Sequence, residues 1–121
     1  MTGLNLFEKA MEMLGYVNSD GISGRNEMIK KALTLINNVY AELYYAWEDW
    51  HNKPFEPLKN INESLNLPQI VLDDIAPYGV AMYLAQSESD ADNQSLYAAI
   101  YNQKKTRVKR VTTQKIPKIW G

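Results

Sequence analysis

Residues 25–50 read RNEMIKKALTLINNVYAELYYAWEDW, with no glycine or proline anywhere in the stretch. Ile29, Leu33, Ile36, Tyr40, Leu43, Trp47 and Trp50 recur at spacings of three and four, the period of an α-helix. Met28, Ala32, Leu35, Val39 and Ala46 form a second apolar row beside the first. A stripe that wide predicts a long central helix contacted from more than one side. Ser23 is the expected N-cap, and Pro54 and Pro57 stop the helix. Asn37 and Asn38 are poor helix formers, expected to face solvent or to bond to a neighbour.

Working outward, a first helix is expected from about residue 6 to 14. Asn5 is its expected N-cap, with Glu8 reaching back as in a capping box, and Gly15 its stop. Phe7, Ala10, Met11 and Leu14 share one face. Residues 18–24 are rich in Asn, Ser, Asp and Gly and read as a loop. Residues 52–67 read as an ordered loop pinned by Phe55, Leu58, Ile61, Leu65 and Leu67. Pro68 and the paired Asp73 and Asp74 mark the start of a third helix, near 73–87, with Pro77 tolerated in its first turn. Gly79 and Ala81 are small enough to let another helix approach closely. After a polar linker at 87–92, a last helix is expected near 93–107, with Leu96, Ala99, Ile100, Tyr97 and Tyr101 inward.

Beyond Arg107 the pattern changes. Val108, Val111, Thr112, Thr113, Ile116 and Ile119 alternate with Lys and Arg, and Pro117 interrupts them. This predicts an extended basic arm that docks on a partner, because a solvated tail has little use for Ile116, Ile119 and Trp120. The expected fold is therefore all-α: about four helices around a long central one, residues 1–107, followed by the arm, residues 108–121. Leu33, Ile36, Leu43, Met82, Leu96 and Ile100 are expected to be buried. The 121 residues amount to one domain.

Charge is divided as sharply as pattern. Residues 1–92 hold all 14 acids and six bases, a net of −8, whereas residues 93–121 hold seven bases and no acid. An acidic body with a basic end can attract copies of itself, an acidic partner or nucleic acid. Within the arm, Lys109, Arg110, Lys115 and Lys118 are the expected steering charges, and Ile116, Ile119 and Trp120 the expected anchors.

The residues do not spell out a reaction. There is no cysteine, hence no disulfide and no thiolate metal site. The one histidine, His51, has no nucleophile to serve and reads as a helix C-terminal cap. Glu88, Asp90 and Asp92 lack the central glycine and terminal glutamate of a calcium loop and read as helix caps. Asp73 and Asp74, adjacent on a helix, cannot face each other as a catalytic pair. No phosphate-binding loop or dinucleotide fingerprint is present, and Asn62-Glu63-Ser64 is a glycosylation sequon only in form. No signal peptide and no apolar run long enough for a membrane span is found, so the expected location is the cytosol, with no membrane, metal or cofactor.

Two stretches carry a family resemblance. One is Lys31-Ala32-Leu33-Thr34-Leu35-Ile36-Asn37-Asn38-Val39-Tyr40-Ala41-Glu42-Leu43. The other runs from Leu67-Pro68 through Ile75-Ala76-Pro77-Tyr78-Gly79-Val80-Ala81 and Leu84-Ala85 to Asp90, then Leu96-Tyr97, Ile100-Tyr101 and the basic end. Together they resemble small head–tail connector (adaptor) proteins of tailed bacteriophages and prophages, over roughly residues 25–110. The resemblance implies a non-enzymatic helical protomer that joins a ring beneath the portal protein and receives further neck or tail proteins. It implies a place in the virion neck, and in the host bacterial cytoplasm during assembly. Non-specific contact with DNA in the channel is compatible with the basic end. The reading from another class is a small DNA-binding or regulatory protein that uses the same arm.

Overall fold

The structure, a computed structural model, describes residues 1–16, 21–47 and 54–108; for residues 21–26 it describes the backbone alone. The chain is mostly helical: α1 is Gly3–Leu14, α2 Gly21–Trp47, α3 Gln69–Asp74, α4 Ala76–Ser87 and α5 Ala91–Lys105. The only extended pairing among the described residues is an isolated bridge between Thr2 and Ser64.

α1 starts earlier than its sequence pattern suggests. Thr2 is the N-cap: its hydroxyl accepts from the Asn5 amide at 3.1 Å, and Asn5 Oδ1 accepts from the Thr2 amide at 3.0 Å. Asn5 is thus the third residue of the capping box and not the cap. The reason is tertiary. The amides of Gly3 and Leu4 donate to the carbonyls of Glu63 and Ile61, and the Leu65 amide donates to the Met1 carbonyl. That pairing holds Thr2 extended, as a cap requires. Gly15 ends α1 as expected, with φ of 78°.

α2 is unbroken through Asn37 and Asn38, and its backbone is already helical at Gly21, so Ser23 lies inside it. Extending a formed helix gains a hydrogen bond per residue without a new nucleus, which offsets the roughly 1 kcal/mol helix penalty of a glycine. Asn37 bonds to a neighbour. Its Nδ2 donates to the Leu58 carbonyl at 3.0 Å and its Oδ1 accepts from the Leu58 amide at 2.8 Å. Leu58, Leu65 and Leu67 are buried, so the 54–67 connection is the pinned loop expected of it.

The helix expected at 73–87 is two. α3 begins after Pro68, and the chain breaks at Ile75, φ −118°. Asp73 and Asp74 therefore close α3 and do not open a helix. Pro77, in the first turn of α4, has no N–H for the Asp73 carbonyl. Lys9 Nζ donates to that carbonyl instead, at 3.2 Å.

The hub of the core is α4, which packs against each of the other four helices, whereas α2 packs chiefly on α4 and α1. Ile36 and Leu43 are buried as expected; Leu33, Met82 and Ile100 are only half-buried, and Leu96 is 51% exposed. On α5, Tyr97 and Tyr101 turn inward as expected, on a seam with Gln94 and Lys104, whereas Leu96 and Ala99, expected inward, are exposed. Gly79 makes the room for Tyr101 there.

Ile36, fully buried on α2, gives the first test. Ile36→Ala should cost about 2–5 kcal/mol in urea denaturation. A loss below about 1 kcal/mol would place that face outside the core.

Candidate interaction surface

α5 delivers the chain's basic end to the body, and it does so through paired groups. The Tyr101 hydroxyl donates to Glu42 Oε1 at 2.6 Å, and the Tyr83 hydroxyl donates to Glu42 Oε2 at 2.5 Å. Lys105 Nζ lies 3.8 Å from Glu42 Oε1 and 5.0 Å from the Tyr101 ring centroid. Lys104 Nζ lies 3.0 Å from Asp74 Oδ1 and 5.0 Å from the centre of the Tyr78 ring. Two of the seven basic residues of the C-terminal end are therefore already matched by carboxylates of the body. Each partly exposed pair contributes at most about 1 kcal/mol, so they fix direction more than they stabilise.

Val108 is fully buried in the core cluster. Val108, expected to open the extended arm, is instead helical and buried, three residues beyond the end of α5 at Lys105. Lys109, Arg110, Lys115, Ile116, Lys118, Ile119 and Trp120, the expected docking residues, lie outside the described residues.

A second feature escaped the sequence reading. Tyr40 and Tyr44, one turn apart on α2, form the floor of an open groove of about 570 Å³ whose walls are Pro54, Pro57 and Leu58. Phe55 packs behind, its ring centroid 4.9 Å from that of Tyr40 and 5.6 Å from that of Tyr44. The Asn66 amide donates to the Tyr40 hydroxyl at 2.9 Å, which together with the Asn37–Leu58 pair sets the walls. Glu56, Lys59 and Glu63 stand at the rim. Glu63 Oε1 accepts from the Lys59 and Asn60 amides, at 2.5 and 3.3 Å. Glu56 is exposed and has no ion-pair partner among the described residues. The signal that could have found this groove is the Tyr40/Tyr44 pair facing a segment with two prolines.

The remaining polar clusters are structural. Asp90 caps α5, accepting from the Asn93 amide at 3.3 Å, and takes the Tyr16 hydroxyl on Oδ2 at 2.6 Å. The Tyr16 hydroxyl and the Asn93 amide group hold its carboxyl below the usual carboxylate range. Among the described residues no group of His, Cys, Asp and Glu is placed to hold a metal ion. Nor is any described helix long and apolar enough to cross a membrane. His51 lies outside the described residues.

Three tyrosines should titrate late. Burial, then a hydrogen bond to Glu42, pushes Tyr83 up to about 12. The same two causes raise Tyr101 further, and burial followed by the Asp90 hydrogen bond raises Tyr16. A raised folded pKa means stability that is whole below the ordinary value, about 10, and lost as pH climbs through the raised values. Phenolate absorbance at about pH 11 should therefore show three fewer ionised tyrosines in the native protein than in urea. All eight titrating together in the folded chain would contradict the hydroxyl–carboxylate pairs.

No family model, no curated protein and no solved structure matches the chain.

Proposed function

We propose that the protein is a structural head–tail connector of a phage neck. Copies form a ring under the portal, and a basic C-terminal arm makes the contacts that build or attach it. The carrying observation is the division of charge: residues 1–92 have a net charge of −8, and residues 93–121 hold seven bases and no acid, four of those bases beyond the buried Val108. A contact between two different patches of one protomer generates a ring when its rotation closes. The helical body, and the resemblance over residues 25–110, agree with this reading. It carries no catalytic role. In this reading the arm, residues 108–121 with Val108 buried at its root, would make these contacts, with Lys109, Arg110, Lys115 and Lys118 steering and Ile116, Ile119 and Trp120 anchoring.

Deleting residues 109–121 should leave the helical body folded by circular dichroism and abolish attachment to a portal ring in pull-down. Deleting 108–121 should also destabilise the body, because a buried valine is worth about 1.5–3 kcal/mol. Reversing the four arm charges should mainly slow association, and Trp120→Ala should mainly speed dissociation. A truncated chain that attaches as well as the full one would remove the arm from the mechanism.

The seven basic residues also favour a second reading, a small DNA-binding or regulatory protein. It requires duplex binding that weakens steeply with salt, as release of counterions demands.

A further inference from the structure

We propose that the groove between α2 and the 54–66 connection is the receptor for residues 115–120 of a neighbouring copy. This deepens the connector reading and rests on it for the idea that copies meet through two different patches.

Glu42 receives Tyr101 and Lys105 of α5, so the root of the basic end lies on the Glu42 side of α2. Glu42 lies two residues from both Tyr40 and Tyr44. With 3.6 residues per turn that is roughly 160° around the helix from each. Lys105, at the root of the basic end, and the groove thus lie on opposite sides of one helix. That is the arrangement of a head-to-tail contact, in which one copy's basic end faces the next copy's groove. Residues 109–121, fully extended, span roughly 40 Å, ample for reaching an adjacent protomer.

Chemical fit points the same way. Residues 115–120 read Lys-Ile-Pro-Lys-Ile-Trp. Pro117 favours an extended conformation with three residues per turn. At that period Lys115 and Lys118 share one edge, and Ile116 and Ile119 share the next. Aromatic grooves recognise such proline-bearing segments because little conformational freedom is lost on binding. The groove offers a matching set: exposed walls of Pro54 and Pro57 over two nearly buried tyrosines, and two carboxylates at the rim against the single ammonium of Lys59. Glu56 has no ion partner among the described residues, and Glu63 uses only Oε1 in its backbone bonds. The Tyr40 hydroxyl accepts from Asn66 and has its own proton left to give to an incoming carbonyl. The pairing is between Lys115 and Lys118 of one copy and Glu56 and Glu63 of the next, with Ile116 and Ile119 against the exposed Pro54 and Pro57.

The chain has no cysteine, so engineered pairs report cleanly. The experiment uses full-length variants: Ser64→Cys at the groove rim with one tag, and Ile119→Cys with another. Mixed at high concentration under mild oxidation, they should give the mixed disulfide dimer well above either homodimer. Glu56→Lys in the groove variant should cut its yield several-fold, and Lys118→Glu in the arm variant should restore it. The doubly substituted S64C/I119C chain should form linked multimers. A monomeric intramolecular disulfide from that chain would overturn the proposal in favour of an arm folded back on its own groove. Absence of both products would overturn it outright. Attachment to a portal ring is read in parallel. A groove–arm disulfide without portal attachment defeats the connector reading alone. Portal attachment without the disulfide defeats the groove assignment alone.

Discussion

Gly79→Ala should destabilise the protein by about 3 kcal/mol, although the same change in an ordinary helix interior stabilises by about 1 kcal/mol. A Cβ at Gly79 would stand 2.7 Å from Tyr101 Cε1, 2.8 Å from Cζ and 3.0 Å from Cδ1. These are atoms of a ring with no exposed surface, tied through its hydroxyl to Glu42. The ring cannot retreat without breaking that bond, and α4 cannot move without disturbing the other four helices. Urea denaturation measures the loss. Tyr101→Leu in the same chain should recover part of it, since it removes the obstructing atoms. A neutral or stabilising Gly79→Ala would show that α4 and α5 do not meet at this point.

Glu42→Ala should cost about 3 kcal/mol for a different reason. It strands two hydroxyls, of which that of Tyr101 cannot reach water. Lost attraction to Lys105, with both side chains about one-third exposed, adds less than about 1 kcal/mol. Glu42→Gln should be much milder, because an amide still offers an acceptor and a donor to the two hydroxyls. Tyr101→Phe should then lower the cost of Glu42→Ala, with a coupling of about 1–3 kcal/mol in the double-mutant cycle. Additive losses would mean that Glu42 acts through bulk charge instead of these two bonds.

The parts of the fold that could be read in the chain are those set by local rules. The all-α character followed from period alone, Gly15 stopped α1, and the close approach at Gly79 came from its size. The misreadings share a cause, which is that a distant segment decided the outcome. Thr2 became a cap because residues 61–65 hold it extended. The break at Ile75 is the exception, a local effect of Pro77 on the carbonyl four residues earlier. Leu96 faces outward because the rotation of α5 buries the Tyr101 ring against Gly79 and gives the Tyr97 and Tyr101 hydroxyls acceptors at Met13 and Glu42. The groove was hidden for a similar reason. Its floor and walls come from segments that each look like core or loop until they are set side by side.

The stitch between residues 1–4 and 61–65 bears on the order in which a ribosome makes and fixes this chain. Residues 1–16 leave the exit tunnel well before residues 61–65, yet the amides and carbonyls at their start find partners only once residue 65 has followed. Their apolar face rests on α4, and Tyr16 and the Met13 carbonyl wait for Asp90 and Tyr97. An isolated 12-residue helix is marginal in water. A segment that emerges early is therefore among the last to settle. Until α4 and α5 emerge, its buried set from Leu6 to Leu14 is displayed to whatever else is near the ribosome.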